Sequence, residues 1–369
     1  MHQHTLSSSQ RAWLTLASAV DVPTGKWLAL LDAYDCKPED IVSANQRQNG
    51  LPEGEPFIKK ISNARVTDAI SWCEASDNRH IVTYACDSYP KQLHALDNPP
   101  LVLFVVGKHQ LLANPSVAIV GSRRASHQGK QIAHNLSMQL AQQGVTVVSG
   151  MAMGIDASAH QGALSERAST IAITGTGPDN VYPPKNIQLH AQITEQGGAC
   201  ITEFFPKVTA RAWHFPRRNR IIAALTLGTV VVEAKIKSGT LITANLAANI
   251  GREVFAVPSS IFNTHSEGCH WLIQQGAKLI TNVDDIIDEI AVQPLPFVGK
   301  VDTDSKKSEV NSLATDTLLD SVDYDITAID VIAQRSATPV NQVMAVLLEY
   351  ELRGLVAAVP GGYVKLRGK

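Results

Sequence analysis

Short apolar runs alternate with longer amphipathic segments through the middle of the chain. The runs are too short for helices and are bounded by turn residues, so they predict buried strands. The segments between them predict helices, among them His127–Gln143, which Gly144 closes, and Asp156–Ser165. This alternation favours an α/β core with a mainly parallel sheet covered by helices. The predicted strands are Ile81–Ala85, Leu101–Val106, Val117–Val120, Val145–Ser149, Thr170–Thr174, Ala199–Thr202, Thr229–Glu233 and Glu253–Val257.

Residues 1–80 have a different pattern, in which apolar residues recur at helical spacing and Pro or Gly interrupts the early segments. The pattern predicts a small helical domain of the sterile-alpha-motif or helix-hairpin-helix class. Such a domain is either a DNA- or protein-binding module or a packed spacer. The predicted helices are Arg11–Val20, Gly25–Tyr34, Pro38–Ala44, Pro56–Asn63 and Arg65–Ala75.

The periodicity is lost over residues 291–311, where Pro, Gly, Asp, Ser and Lys dominate and predict a linker between the 81–290 core and the tail. Residues 312–369 then predict a winged-helix domain with three helices and two short strands around a Pro-Gly-Gly turn. The predicted helices are Leu313–Leu319, Ala328–Gln334 and Val340–Leu352. The last of these carries no Lys or Arg, which favours contact with protein over a DNA groove.

Composition narrows the class of protein only slightly. The chain has 369 residues, 44% hydrophobic and 18% charged, with a net charge of −2, so any nucleic-acid binding must come from a local basic patch. The five cysteines have no short paired spacing, which argues against a zinc ribbon and suits a reducing compartment. With neither a leader pattern nor a long apolar run, a cytoplasmic protein without membrane contact is expected.

Three strand-to-helix turns carry the strongest chemical signal. A glycine turn at the start of a helix presents backbone N–H groups to an anion, and a neighbouring cation adds charge. Because parallel strands end at one edge of a sheet, the three turns are expected to form one phosphate-binding rim. The turns contain Gly121, Ser122 and Arg123; Ser149, Gly150 and Gly154; and Ser238, Gly239 and Thr240, with Lys235 and Lys237 on the approach.

A basic run with interleaved aromatic residues strengthens this prediction. Residues 211–220 read Arg-Ala-Trp-His-Phe-Pro-Arg-Arg-Asn-Arg. Single-stranded nucleic acid is bound by cations on its phosphates and by rings that stack on its bases. A solvated loop is the other interpretation, but four arginines so close together would repel unless an anion or an acidic group lay nearby.

Catalysis has weaker support. Asp156 and His160 have a spacing suited to acid–base chemistry, but Asp156 also suits a first helical turn and His160 a core hydrogen bond. The dinucleotide-like Gly175-Thr-Gly177 lacks its third glycine. No catalytic residue, metal site or cofactor is therefore predicted.

The middle region resembles the DNA-processing protein A (DprA/Smf) family. The matching blocks include Val120-Gly-Ser-Arg123, Ser149-Gly-Met-Ala-Met-Gly-Ile-Asp156, Phe215-Pro-Arg-Arg-Asn-Arg220 and Ser238-Gly-Thr-Leu-Ile-Thr243. Two positions depart from the family pattern, Ser259 where Gly is usual and His270 where Asn is usual, near expected dimer contacts.

The resemblance implies an extended Rossmann-like core, flanked by a sterile-alpha-like domain and a winged helix. It implies a homodimer that binds single-stranded DNA, protects incoming DNA and loads the recombinase RecA in natural transformation. The alternative is a nucleotide-binding enzyme of the phosphoribohydrolase-like Rossmann superfamily, but no carboxylate follows Ser238-Gly-Thr240. The expected DNA-binding residues are Gly121, Ser122, Arg123, Ser149, Gly150, Gly154, Lys185, Phe215, Arg217, Arg218, Asn219, Arg220, Lys237, Ser238, Gly239 and Thr240.

Overall fold

The computed structural model of the protein describes residues 6–47, 56–166, 170–290, 318–324 and 326–366. Four helices come first, and they correspond to the helical segments expected from the apolar spacing. The predicted segment Pro56–Asn63 is a short 3₁₀ helix over Pro56–Lys60. The four α-helices are α1 (Ser8–Ala17), α2 (Thr24–Ala33), α3 (Pro38–Arg47) and α4 (Asn63–Glu74).

A nine-stranded sheet forms the centre of the molecule, in the order β1-β2-β6-β5-β4-β3-β7-β8-β9. The pairings of β1 with β2 and of β2 with β6 are antiparallel, and the remaining pairs are parallel. The mainly parallel α/β core predicted from the sequence is confirmed. The strands are β1 (Arg79–Thr83), β2 (Val102–Gly107), β3 (Ser116–Val120), β4 (Thr146–Ser149), β5 (Thr170–Ile173), β6 (Ala199–Thr202), β7 (Gly228–Val231), β8 (Glu253–Ala256) and β9 (Lys278–Leu279).

Helices cover both faces of this sheet because the side chains of the central strands alternate between two apolar layers. Along β3, Val117 and Ile119 pack in one layer with α5 and α6, and Ala118 and Val120 pack in the other with α8 and α9. The core helices are α5 (His127–Gln142), α6 (Ile155–Ser165), α7 (Ile187–Glu195), α8 (His214–Leu225), α9 (Gly239–Asn249), α10 (Glu267–Gln274) and α11 (Asp284–Ile290).

The N-terminal helices pack against the antiparallel side of the sheet. Trp72 of α4 meets Phe104 of β2 edge-on at 5.6 Å between ring centroids, and Phe104 meets Phe205 at 5.1 Å. These rings belong to one apolar cluster that also contains Trp13 and Trp27. The hydroxyl of Thr24 in α2 also donates a hydrogen bond to the backbone oxygen of Pro99, so the helices and the core meet at a fixed junction.

The C-terminal part has the winged-helix arrangement. Two helices, α12 (Ile329–Ser336) and α13 (Val340–Leu352), precede the antiparallel hairpin of β10 (Val356–Val359) and β11 (Gly362–Lys365). The predicted linker at 291–311 lies outside the described residues, as does most of the predicted helix Leu313–Leu319, which the structure describes only from residue 318. Within the described ranges, no helix has the length and apolar character needed to cross a bilayer.

Candidate nucleic-acid interface

A cleft lies at the point where the strand order of the sheet reverses. From β3 the chain adds β4, β5 and β6 on one side, and from β7 it adds β8 and β9 on the other. The loops that follow β3 and β7 therefore diverge and leave a crevice at the carboxyl edge, where parallel sheets bind ligands. The crevice has a volume of about 570 Å³. We call it the sheet-edge cleft, and it is lined mainly by Gly121, Ser122, Arg123, Arg124, Asp156, Ala212, Phe215, Arg218, Asn219, Lys235, Lys237, Ser238, Gly239, Thr240 and His265.

This cleft is strongly cationic although the chain as a whole is not. Five lysine and arginine side chains line it against the single carboxylate of Asp156, whereas the whole chain has a formal net charge of −2. Confining positive charge within low-dielectric walls raises the local potential and favours an anionic ligand. The charge of the sheet-edge cleft therefore favours an anionic ligand.

The loop that carries Arg123 is held in place by Glu233, which follows β7. The Ser122 amide donates to the Glu233 backbone oxygen at 2.8 Å, and the Ser126 amide donates to its carboxylate at 2.9 Å. The Ser126 hydroxyl also donates to that carboxylate and accepts the Gly129 amide as the N-cap of α5. A Cβ on Gly129 would lie 2.5 Å from the carboxyl carbon of Glu233, so only glycine fits beneath it.

We expect Glu233→Ala to weaken the binding of a polyanion in the sheet-edge cleft, although Glu233 itself does not line the cleft. Removing the carboxylate frees two donors of Ser126, so the Arg123 loop has to be ordered on binding, which costs about 1–3 kcal/mol. Fluorescence anisotropy with labelled oligo-dT should show about a 5- to 100-fold loss of affinity. An affinity equal to that of the wild type would contradict this positioning role.

Arg123 stands over an aromatic ring at the mouth of the cleft. Its guanidinium carbon lies 5.3 Å from the ring centroid of Phe215, a cation–π distance. The other neighbour of Phe215 is the exposed Tyr182, at 5.6 Å between centroids. The arrangement places a planar cation and a partly exposed ring side by side, so one ligand can meet both a charge and a stacking surface.

Arg218 lies on the floor of the cleft and is 4% exposed. Its Nη1 donates to the backbone oxygen of Ile173 at 2.6 Å, and the backbone of Gly150 packs directly against the guanidinium. Burial lowers the pKa of Arg218 to about 10, an effect that Asp156 opposes. Burial raises the pKa of Asp156, and Arg218 opposes that change in turn. The attraction between Arg218 and Asp156 therefore opposes the effect of burial on both side chains.

The opposite wall is the N-terminus of α9. The helix begins at Gly239, so the backbone N–H groups of residues 239 and 240 belong to its first turn. A Cβ on Gly239 would meet nothing within 4 Å, so the Cα of this residue faces open space. The Asn219 amide donates to the Gly239 oxygen at 3.4 Å and links this wall to α8.

Most of the predicted binding residues come together in this cleft, and some do not. Ser149 and Gly150 lie behind it, where the Ser149 hydroxyl donates to the Ile119 oxygen at 2.6 Å. Gly154 supports the first turn from below, since the amide of Ile155 donates to the Ser122 oxygen. Lys185 is exposed on a 3₁₀ helix just after Tyr182, outside the lining of the cleft. Those that line it are Gly121, Ser122, Arg123, Phe215, Arg218, Asn219, Lys237, Ser238, Gly239 and Thr240.

Two arginines of the basic run face away from the sheet-edge cleft. Arg217 and Arg220 both donate to the carboxylate of Glu203, Arg217 at 3.1 Å. The side chain of Glu203 is only 3% exposed. Glu203, on the far side of α8, is therefore the acidic group that offsets the mutual repulsion of these arginines. From His214 onward the run is the start of α8 and not a loop, and residues 211–213 form the turn before it.

The pair with acid–base spacing is built into the core. His160 is fully buried, and its Nδ1 lies 2.8 Å from the hydroxyl of Thr170, which donates to the Val147 oxygen. Because that hydroxyl proton is already committed, the ring N–H donates to Thr170. Burial lowers the pKa of His160 to about 3, so the ring is neutral at physiological pH. His160 therefore serves structure, whereas Asp156 lines the sheet-edge cleft.

Other lining residues gave weaker signals in the sequence. Lys235 lies two residues before Lys237 in the third turn, so its place in the cleft follows from that motif. His265 comes from a loop that is distant in sequence and belongs to no motif. The two departures from the family pattern contact each other, because His270 Nε2 donates to the Ser259 oxygen at 2.9 Å. The two replacements thus form one local unit beyond β8.

A mainly parallel, doubly wound sheet with a cationic cleft of glycine turns at its switch point defines a Rossmann-like core. Residues 80–291 match the family model of DNA recombination-mediator protein A, and residues 305–362 match that of the DprA winged helix domain. The chain belongs to the DNA recombination-mediator protein A family, whose members are DNA-binding mediators of DNA processing.

Named relatives agree with this assignment. The chain is 41% identical to protein Smf of Escherichia coli, over 96% of this chain and 95% of that one. A crystal structure of DNA processing protein A from Streptococcus pneumoniae is 34% identical, with a TM-score of 0.61 over 76% of this chain and 95% of that one. The Helicobacter pylori protein, whose structure is described for its single-stranded DNA binding mode, is 30% identical, with a TM-score of 0.52 over 58% of this chain and 95% of that one.

Proposed function

We propose that the sheet-edge cleft binds single-stranded DNA. The observation that carries this proposal is Arg123 standing over Phe215 within a cleft lined by five cations. The cations and the N-terminal amides of α9 hold backbone phosphates, and Phe215 stacks on a base. Arg218 adds fixed positive charge from below, so the strand meets a potential that is already organised.

A single strand suits the cleft better than a duplex. Stacking on Phe215 requires a base whose face is free, whereas both faces of a base inside a duplex are covered by its neighbours. The volume of about 570 Å³ accommodates unpaired nucleotides, not the width of a double helix. The single-stranded DNA binding named for the Helicobacter pylori relative supports the same assignment.

The test compares Arg123→Ala with a matched control, Lys108→Ala. Lys108 is exposed just after β2, at the edge of the sheet opposite the sheet-edge cleft. Its replacement by alanine removes one positive charge, as Arg123→Ala does. By anisotropy, Arg123→Ala should bind labelled oligo-dT about 10- to 100-fold more weakly, and Lys108→Ala should match the wild type. Equal losses in the two variants, or tighter wild-type binding to duplex, would contradict the assignment.

On this basis we infer that the protein is a cytoplasmic mediator and not an enzyme. Family membership supports a homodimer that protects incoming DNA and loads RecA during natural transformation. RecA filament growth on oligo-dT should accelerate with the wild type and not with Arg123→Ala. His160 is buried and committed to its contact with Thr170, and we expect no turnover of nucleotides. Release of free base from a nucleotide would instead favour the phosphoribohydrolase-like alternative.

A further inference from the structure

A second cleft, of about 600 Å³, lies where the N-terminal helices meet the core. One wall comes from the segment after α1 and from Arg65, and the other from the segment between β6 and α8 together with Arg217 and Arg220. We call it the junction cleft. It does not overlap the sheet-edge cleft, because the two are lined by different residues on either side of the first turn of α8.

The junction cleft is also cationic. Five lysine and arginine side chains line it against two carboxylates, those of Asp21 and Glu203, and one of the five, Lys207, is also paired with Asp68 at 2.7 Å. Glu203 is shared by Arg217 and Arg220, so one carboxylate balances only part of their charge. Arg211 is exposed at the rim. This excess of positive charge favours a polyanion over a neutral or basic partner.

The junction cleft also offers an aromatic platform. Trp213 is 53% exposed, and its ring packs edge-on against His214, with 4.1 Å between the centroids. Arg217 lies over the neighbouring Phe204, 5.5 Å from its centroid. The indole is thereby fixed in place while a large part of its surface stays open to solvent. An exposed ring beside arginines is the combination that binds unpaired bases.

The two clefts meet at the start of α8. Ala212 lines the sheet-edge cleft, whereas its neighbours Arg211 and Trp213 line the junction cleft. Adjacent Cα atoms are about 3.8 Å apart, so Trp213 and Phe215 are separated by at most about 7.6 Å along the backbone. Two stacking residues this close, one in each cleft, can be reached by a single continuous strand.

We propose that the junction cleft binds a second segment of the same single strand, which passes from Phe215 over the first turn of α8 to Trp213. This inference rests on the proposed function of the sheet-edge cleft. In this arrangement the N-terminal helices complete a DNA-binding surface and are more than a packed spacer, because residues such as Arg65 form one of its walls.

The experiment uses the full chain with an oligo-dT strand of about 20 nucleotides and with a single labelled dT nucleotide as the shorter ligand, because only the longer strand can reach both Phe215 and Trp213. Trp213→Ala should bind the longer strand about 5- to 100-fold more weakly and the shorter ligand as the wild type does. Arg211→Ala, which leaves the aromatic packing intact, should show a smaller loss, about 2- to 5-fold, on the longer strand alone. Lys108→Ala serves again as the charge-matched control.

Tryptophan fluorescence gives a second readout that does not depend on affinity. Of the five tryptophans, Trp213 alone is exposed. The longer strand should quench the wild type and leave Trp213→Ala unchanged. The junction cleft is not part of the DNA path if the longer strand causes no quenching and if Trp213→Ala and Arg211→Ala both retain wild-type affinity for it. In that outcome Arg123→Ala would still lose affinity for both ligands. If Arg123→Ala loses nothing, the proposed function itself fails.

Discussion

Replacing Arg218 with methionine is expected to destabilise the fold by about 3–5 kcal/mol and to abolish DNA binding. Methionine fills much of the same volume but leaves the buried carboxylate of Asp156 without its compensating charge. It also removes the hydrogen bond to Ile173 and the positive floor of the sheet-edge cleft. Urea unfolding followed by circular dichroism measures the first effect, and anisotropy with oligo-dT measures the second.

The loss of stability in Arg218→Met should depend on pH. Burial already raises the pKa of Asp156 above 3.8, and removing Arg218 removes the attraction that opposes this rise. A folded-state pKa above the unfolded value means that the folded state holds its proton more tightly. Stability is therefore retained at low pH and lost as the pH rises through the folded-state pKa. The destabilisation should therefore grow as the pH rises from below the folded-state pKa of Asp156 to above it.

A double variant separates the charge effect from simple loss of packing. Asp156→Asn combined with Arg218→Met removes both charges and should recover part of the stability lost in Arg218→Met, with the pH dependence gone. Binding of oligo-dT should stay weak, because the cation of the floor is still missing. Additive losses in the double variant would contradict electrostatic coupling between the two residues.

Gly154→Ala is expected to lower stability by about 2–5 kcal/mol and to disrupt the Arg123 loop. Gly154 has a φ of +79°, which disfavours any side chain. A Cβ there would also lie 2.3 Å from the backbone oxygen of Ser122 and 2.8 Å from that of Arg123. Because both clashes are with backbone, relief requires the two turns to move apart, which displaces Arg123 from Phe215.

Gly239→Ala is the matched control for this prediction. Both glycines belong to turns of the candidate site, but a Cβ at Gly239 meets nothing within 4 Å and the residue is in the first turn of α9. Thermal unfolding should show Gly239→Ala close to the wild type and Gly154→Ala strongly destabilised. Similar melting temperatures for the two variants would show that close packing of the turns does not hold the loop.

The sheet was predictable because its strands are short, apolar and separated by turn residues. All eight predicted strands appear within about two residues of their expected ends, and β9, with only two residues, was missed. The basic run at 211–220 was harder, because clustered charge obscured the apolar positions Ile221 and Ile222 that face the core from α8. Helix α7 is also difficult to predict from the spacing of apolar residues, because only Leu189 and Ile193 of this helix are buried.

The candidate site was predictable as a set of turns but not as a set of side-chain directions. The sequence places Arg217, Arg218 and Arg220 in one run, and helical geometry sends them to different surroundings. Arg218 points under the sheet-edge cleft, whereas the other two reach Glu203 in the junction cleft. Which face of α8 meets which cleft depends on packing against the sheet and the N-terminal helices, and local sequence does not encode that packing.

The most direct test of the central claim is the salt dependence of oligo-dT affinity for the wild type, Arg123→Ala, Lys237→Ala and the double variant. For single strands, the slope of log affinity against log salt falls by about 0.7 for each phosphate contact removed. Each single variant should therefore flatten the slope by about 0.7, and the double variant by about 1.4. Slopes equal to that of the wild type in all three variants would show that these cations do not contact DNA phosphates, and would contradict binding in the sheet-edge cleft.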